Sequence, residues 1–222
     1  MAEVYGLTRR SLVELAEGLD ADQQEREVAP TPGWRVKDVY GHLAGLAADL
    51  IDGRMEGAGS PEWTAEQVRT RTDRPLADVT AEWAVRGPEV EDWIRADPAG
   101  RRAFPVYDVW THEQDVRSTV GLRGVRDDER VPFLLDAALG VFDANIRREG
   151  TPATRVVGDT VDRVVGEGDP VATLRSSDYE ILRLLFGRRS RAQAEAAGWE
   201  GDAARPIEDL HLFEFPTVDI VD

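Results

Sequence analysis

The spacing of apolar residues changes near Gly150, and this change constrains the fold more than any other feature of the chain. Before Gly150, apolar residues recur every three or four positions, which is the spacing of amphipathic helices. Proline and glycine interrupt the pattern between segments. The helices predicted from this spacing cover residues 3–19, 36–55, 65–69, 76–94, 106–120 and 132–146.

After Gly150 the chain contains short stretches rich in β-branched residues, which are typical of strands. The predicted strands cover residues 153–158, 161–166 and 171–175, an edge strand is predicted at 210–216, and helices are predicted at 177–186 and 190–197. The sequence therefore predicts an α+β protein. An N-terminal helical bundle, residues 1–150, precedes a small α/β domain, residues 151–222.

The charge of the chain argues against two classes of partner. Its 43 acidic and 27 basic residues give a net charge of −16. Nucleic acids and anionic lipid surfaces both require a basic face on the protein, so we expect neither as a partner. No apolar run is long enough to span a membrane. The N-terminus lacks a basic region followed by an apolar stretch, and we expect a cytoplasmic protein without a signal peptide.

The absence of cysteine limits the chemistry that the chain can perform. It excludes disulfides, thiolate metal sites and a cysteine nucleophile. Any thiol chemistry therefore depends on a thiol that arrives with a cosubstrate.

Two of the three histidines lie in predicted helices and suggest a metal site. Asp108 and His112 are four residues apart, so on a helix their side chains point the same way, with Cβ atoms about 5–6 Å apart. His42 lies beside the apolar stripe of the second helix. Two imidazoles and a carboxylate form a three-ligand set, which catalytic zinc uses while keeping a fourth position open.

Nearby carboxylates could orient these imidazoles. Asp38 precedes His42 by four residues, and Asp115 follows His112 by three. Each could accept the N–H of its histidine that faces away from a metal. An ordinary alternative stands beside this hypothesis, because a histidine on a half-apolar helix face is commonly a packed core or surface residue. An aspartate near a helix start is commonly a cap.

Other candidate residues have ordinary interpretations. Trp34 and Trp110 are expected in the core, and His211 is expected to be structural. The segment 166–168 is a turn and opens no helix, so it is not a dinucleotide-binding motif. The basic segment 187–191 is either a solvated helix boundary or an anchor for a substrate carboxylate, since guanidinium pairs bidentately with carboxylates.

Two motifs resemble those of a known family. The segment Trp34-Arg-Val-Lys-Asp38-Val-Tyr-Gly-His42-Leu resembles the W-x-V-x-D-x-x-x-H-L opening of the mycothiol-dependent maleylpyruvate isomerase family, whose members have DinB-like metal-binding four-helix bundles. The segment Asp108-Val-Trp110-Thr-His112-Glu-Gln-Asp115 is similar to its second motif, E-x-W-x-H-x-x-D. The helix that ends in Leu-Phe-Gly-Arg188 is similar to one in the family's C-terminal domain.

The resemblance implies a zinc ion held by His42, Asp108 and His112. This chain has Asp108 where the family usually has glutamate, so the shorter carboxylate raises the question of whether it reaches the metal. The resemblance also implies that a C-terminal arginine, here Arg188, helps to bind substrate. Mycothiol would be the thiol cosubstrate, and a cation deprotonates a coordinating thiol. Attack of the thiolate on a small electrophilic substrate would make the protein an isomerase or a thiol S-transferase.

Two alternatives from other functional classes remain open. The chain could be a non-catalytic DinB-like module that binds a metabolite or a partner, with Asp108 marking a degenerate metal site. Two histidines and a carboxylate also form the facial triad of non-haem iron oxygenases. That triad usually includes a strand-borne H-x-D pair, which this chain lacks. The sequence does not indicate an oligomeric state.

Overall fold

The computed structural model describes residues 1–222. They form two compact units, Met1–Gly124 and Val125–Val221, with Asp222 grouped with the first. Helices dominate the first unit, and the second contains a four-stranded sheet. The protein is therefore of the α+β class, as the sequence predicts. None of its helices combines the length and the apolar character needed to cross a membrane.

The first unit is built on a four-helix bundle. Its helices are α1 (Ala2–Glu17), α2 (Ala21–Gln24), α3 (Val36–Asp52), α4 (Pro61–Arg69), α5 (Leu76–Arg95) and α6 (Phe104–Thr119). The four long helices contact one another in a closed ring, with α1 against α5, α5 against α3, α3 against α6, and α6 against α1. The short helix α4 packs on α3.

Helix α3 packs into the bundle with its apolar stripe buried. Val39, Leu43 and Leu46 are no more than 3% exposed. The helix ends at Gly53, whose φ of 73° lies in the left-handed region that glycine adopts without strain. Burying the stripe places His42, on the same helix, among the packed side chains.

Helix α4 begins earlier than its apolar pattern suggests. Ser60 caps it by accepting the Trp63 N–H at 3.2 Å, and Pro61 occupies the first turn. Serine at the cap and proline directly after it are both favoured at helix starts. The helix therefore starts at Pro61, rather than at residue 65 as predicted.

The second unit combines helices with a small sheet. Its elements are α7 (Arg130–Glu149), β1 (Pro152–Val157), β2 (Asp162–Val165), β3 (Glu167–Arg175), α8 (Asp178–Leu185), α9 (Arg191–Glu195), β4 (Gly198–Gly201) and α10 (Ala204–Asp209). The strand order is β2-β1-β3-β4. Strand β1 runs antiparallel to β2 and parallel to β3, and β3 is antiparallel to β4.

The predicted edge strand at 210–216 is wrong. This segment is irregular, and the edge position beside β3 belongs to β4. The alternation of apolar residues has another cause, because Leu210 is fully buried and Phe215 packs against the cluster of Leu184, Ala194 and Ile207. His211 lies in this irregular segment with its ring against Phe215, at 4.1 Å between centroids.

The contacts of α7 place it with the sheet. Helix α7 packs on α8 and β2, and it belongs to the unit that starts at Val125. The spacing of apolar residues predicts this helix in the bundle and a domain boundary near Gly150. The contacts thus divide the chain earlier than the change in apolar spacing does. The division into domains 1–150 and 151–222 stays a prediction.

Candidate metal centre

Helices α3 and α6 bring the three predicted ligands together. His42 lies on α3, and Asp108 and His112 lie one turn apart on α6. One ligand atom from each residue can be chosen so that all three atoms lie within 4.8 Å of one another. Both histidines are 4% exposed, whereas the Asp108 side chain is 25% exposed. The cluster therefore joins two shielded imidazoles to a carboxylate that solvent still reaches.

Two distances in the cluster, both to Asp108, are close to those around a small divalent ion. The Nε2 atom of His42 lies 3.1 Å from Asp108 Oδ2, and that of His112 lies 3.6 Å from Asp108 Oδ1. Bonds of about 2.0–2.1 Å to tetrahedral zinc place neighbouring ligand atoms roughly 3.3 Å apart. Asp108 is thus long enough to reach both imidazoles, although it is one methylene shorter than glutamate.

The surroundings of the imidazoles favour a cation at the centre. His42 has Gln67 Oε1 beside Nδ1 and Asp108 Oδ2 beside Nε2. His112 has Asp115 Oδ2 beside Nδ1 and Asp108 Oδ1 beside Nε2. A neutral imidazole has one N–H and cannot donate to both neighbours. A divalent ion among the Nε2 atoms and the carboxylate would attract all three groups, so this donor set fits a metal.

The outer partner of His42 is not the predicted one. Its Nδ1 lies 2.8 Å from Gln67 Oε1, and Gln67 Nε2 donates to Asp49 Oδ2 at 2.7 Å. Gln67 lies on α4, and no motif in the sequence indicates its role. Asp49 lies two turns after His42 on α3, so helical spacing places it on the same side of that helix.

Asp38 instead secures the start of α3. Its carboxylate accepts the Arg35 backbone N–H at 2.9 Å, the Arg35 guanidinium at 2.7 Å and the Thr72 hydroxyl at 2.9 Å. Burial by itself raises the pKa of Asp38, but the Arg35 and Thr72 hydrogen bonds together hold that pKa below its ordinary value. The predicted hydrogen bond from His42 to Asp38 is therefore wrong, because other donors occupy this carboxylate.

Asp115 lies beside His112 as predicted. Its Oδ2 atom is 3.1 Å from His112 Nδ1, and its side chain is fully buried. The two groups meet at ion-pair distance, but no aligned hydrogen bond to Nδ1 is formed. The two imidazoles thus differ at Nδ1, since that atom faces an amide in His42 and a carboxylate in His112.

Trp34 forms an aromatic wall against both histidines. Its ring lies 5.1 Å from the ring of His42 and stacks at 6.2 Å on that of His112. Trp34 is only partly buried, whereas Trp110 is fully buried in the core as predicted. Trp34 therefore borders the candidate metal centre, rather than lying in the core as predicted.

Arg188 lies in the second unit, after the end of α8. Its side chain is buried, its Nη1 donates to the Phe186 carbonyl at 2.9 Å, and its guanidinium lies 5.6 Å from the centre of the Phe213 ring. Neighbouring Arg189 is also buried and pairs with Glu180 at 2.7 Å. A solvated helix boundary thus does not describe these two arginines.

Two solved structures have folds similar to that of this chain. A search of curated proteins found no match. A crystal structure of a histidine-to-alanine mutant of mycothiol-dependent maleylpyruvate isomerase has a similar fold, with a TM-score of 0.62 and 12% identity over 92% of this chain and 93% of that one. A second crystal structure of mycothiol-dependent maleylpyruvate isomerase gives a TM-score of 0.55 and 13% identity over 84% of this chain and 88% of that one.

The match that identifies the family lies in the bundle. Residues 6–127, more than half of the chain, match the mycothiol maleylpyruvate isomerase N-terminal domain. The matched region includes His42, Asp108 and His112, the three residues of the candidate metal centre. The chain therefore belongs to the family defined by the mycothiol maleylpyruvate isomerase N-terminal domain.

Proposed function

We propose that this protein is a zinc-dependent enzyme that uses mycothiol to attack a small electrophilic substrate. The observation that carries the proposal is the cluster of His42, Asp108 and His112 within the family-defining domain. An isomerase acting on a maleylpyruvate-like cis-alkene is the leading form of this proposal, because both similar solved structures are mycothiol-dependent maleylpyruvate isomerases. A thiol S-transferase is the second form.

The three side chains supply what a catalytic metal site needs. His42 and His112 would bind through Nε2, and Asp108 would contribute the anionic ligand. Three protein ligands leave a fourth position for an exogenous group. A divalent ion held there would lower the pKa of a coordinating thiol and so supply a thiolate. Because the chain has no cysteine, an added thiol must provide that sulfur, and we assign this role to mycothiol.

Isomerisation by a thiol is balanced without any further reagent. The thiolate adds to one carbon of the conjugated cis double bond, and the electron pair moves to the activating carbonyl. The new single bond rotates. The electron pair returns, the C–S bond breaks and the thiolate is regenerated. An S-transferase would keep the C–S bond, and the enolate would take up a proton from water. Its product is therefore a thioether, and the products distinguish the two forms.

Arg188 is the residue that we assign to substrate binding. A chain with net charge −16 repels an anionic substrate at long range and needs a local cation to hold it. A guanidinium binds a carboxylate through two parallel hydrogen bonds. In the proposed enzyme, Arg188 would orient the substrate carboxylate for attack by the thiolate.

The decisive experiment combines metal analysis with a product assay. The metal content of the purified protein is measured first. The protein is then loaded with zinc, and maleylpyruvate is supplied with mycothiol, with an unrelated thiol or with no thiol. We expect one zinc per chain and mycothiol-dependent conversion to the trans isomer. A stable thioether product would favour the transferase form instead. Stoichiometric zinc without turnover across a panel of electrophiles would favour the non-catalytic binding module, and bound iron would favour an oxygenase.

A further inference from the structure

A buried amide connects α4 to the candidate metal centre. Gln67 is the only fully buried residue of α4 and is 2% exposed. Helices normally dock through an apolar stripe, and a satisfied buried hydrogen bond adds only about 0.5–1.5 kcal/mol of net stability. The one buried side chain of α4 is thus polar, while Trp63 and Val68 of the same helix are only half-buried. This points to a role for Gln67 beyond packing.

Asp49 fixes the orientation of this amide. An ionised carboxylate only accepts hydrogen bonds, and Asp49 Oδ1 also accepts the Arg54 Nε–H at 2.8 Å. The Gln67 NH₂ group must therefore face Asp49 Oδ2, which lies 2.7 Å away. The Gln67 carbonyl oxygen then faces His42 Nδ1 at 2.8 Å.

The amide orientation determines the state of His42. A carbonyl oxygen cannot donate, so His42 Nδ1 must carry the hydrogen that this contact requires. An imidazole binds a metal in its neutral form, and in that form the lone pair lies on Nε2, the atom that faces Asp108. The hydrogen bonds that connect Asp49, Gln67 and His42, here called the relay, thus leave Nε2 unprotonated and able to bind the metal.

A glycine on α3 makes room for this arrangement. A Cβ atom at Gly45 would lie 2.5 Å from Gln67 Cβ and 2.8 Å from Gln67 Cγ, closer than side chains tolerate. Gly45 is one turn after Gly41, where a Cβ would lie 3.4 Å from Arg71 Cβ. Helix α4 therefore approaches α3 closely enough for Gln67 to reach His42.

We propose that Gln67, oriented by Asp49, is a positioning residue that holds His42 in the Nδ1–H tautomer and presents its Nε2 to a divalent ion. The metal-binding part of this inference rests on the proposed function, whereas the tautomer is a property of the protein alone. A neutral amide serves this purpose without adding a second carboxylate to the His42 side of the centre. Outer partners of this kind typically change metal affinity by about 10- to 100-fold.

The tautomer is tested on the full chain without metal. We choose an Asp108→Ala background, because it removes the carboxylate beside His42 Nε2. Long-range ¹H–¹⁵N spectra distinguish protonated from unprotonated ring nitrogens, and only three histidines contribute. We expect a protonated Nδ1 and an unprotonated Nε2 for His42. In Asp49→Asn the asparagine can donate to Gln67 and allow its amide to turn, so we expect the His42 tautomer to become mixed or reversed.

The effect on the metal is tested with Asp108 intact. Competition with a chromophoric chelator should show zinc affinity reduced about 10- to 100-fold in Gln67→Leu and Asp49→Asn. Asp52→Asn is the matched control, because Asp52 pairs with the same Arg54 at 2.5 Å and has no hydrogen bond to Gln67. Asp49 is partly exposed, so we expect Asp49→Asn to fold. Its zinc affinity tests the inference if Gln67→Leu does not fold.

The outcomes test the relay and the proposed metal site separately. An unchanged His42 tautomer in Asp49→Asn, together with unchanged zinc affinity, would overturn the inference. If the native chain binds no zinc but its His42 tautomer depends on Asp49, the proposed function fails and the relay stands. If zinc binds and neither variant changes its affinity or the tautomer, the metal site stands and the relay fails.

Discussion

At the scale of single residues, Asp108 decides the charge of the proposed metal site. It is the only anionic member of the cluster, and its carboxylate lies within 3.6 Å of both Nε2 atoms. We expect Asp108→Glu to retain or tighten zinc binding, because the longer side chain matches the family motif. Asp108→Ala should weaken it by more than the roughly 10- to 100-fold that loss of an outer partner causes. Zinc competition assays measure both.

Asp92→Ala is the control for this prediction. Asp92 is an exposed carboxylate on α5, with 79% of its side chain accessible to solvent. Its removal changes the net charge by the same amount and should leave zinc affinity unchanged. Equal zinc content in Asp108→Ala and the native chain would remove Asp108 from the ligand set.

Arg188 gives a prediction about substrate rather than metal. Replacing it with lysine keeps the charge but loses the two-pronged hydrogen bonding, and this should already impair turnover. Arg188→Ala should lower kcat/KM for a carboxylate substrate at least tenfold, about 1.4 kcal/mol, with zinc content unchanged. Arg191→Ala is the control, since Arg191 is half exposed and pairs with Glu208. Full activity of Arg188→Ala in a folded protein contradicts the assignment.

Asp38 should make the stability of the start of α3 depend on pH. Its pKa is lowered in the folded protein, so its stabilising contribution is present above the unfolded-state pKa of about 3.9 and is lost as pH falls through the folded pKa. Asp38→Asn should therefore cost stability at pH 7, about 1 kcal/mol as for a lost cap, and less below pH 4. Urea unfolding of the metal-free protein at both pH values measures this. Asp22→Asn, an exposed carboxylate on α2, should show no such difference.

At the scale of helices and strands, the close approach of α3 and α4 should be sensitive to one methyl group. Gly45→Ala gains about 1 kcal/mol of helix propensity, but the new Cβ would overlap Gln67. Overpacking of this kind costs about 1–3 kcal/mol, and it should also displace Gln67 from His42. We expect lower stability and weaker zinc binding together.

Gly140→Ala is the matched control for this change. Gly140 lies within α7, and a Cβ there meets no atom within 4 Å. It should stabilise the protein by up to about 1 kcal/mol and leave zinc affinity unchanged. A Gly45→Ala protein that is both more stable and normal in zinc binding would show that α4 moves without consequence.

At the scale of the whole molecule, the sequence predicts what depends on local spacing. The four-residue separation of Asp108 and His112 fixes one face of α6, and the family motif connects that face to His42. The contact between Gln67 and His42 could not be predicted, because Gln67 lies on another helix, 25 residues along the chain. Strand β4 could not be predicted either, because Gly-Trp-Glu-Gly has no run of β-branched residues, and its pairing with β3 is a tertiary contact.

Zinc binding should stabilise the unit that contains the cluster. A ligand that binds only the folded state adds about 2.7 kcal/mol when its free concentration is 100 times Kd. For a chain of 222 residues, 1 kcal/mol raises Tm by roughly 2–4 °C, so the unfolding transition of the chain should rise by about 5–10 °C. Calorimetry with and without zinc measures this shift. His42→Ala should abolish it, and His211→Ala, which removes the histidine outside the cluster, should preserve it. An equal shift in all three proteins would mean that zinc acts elsewhere on the chain.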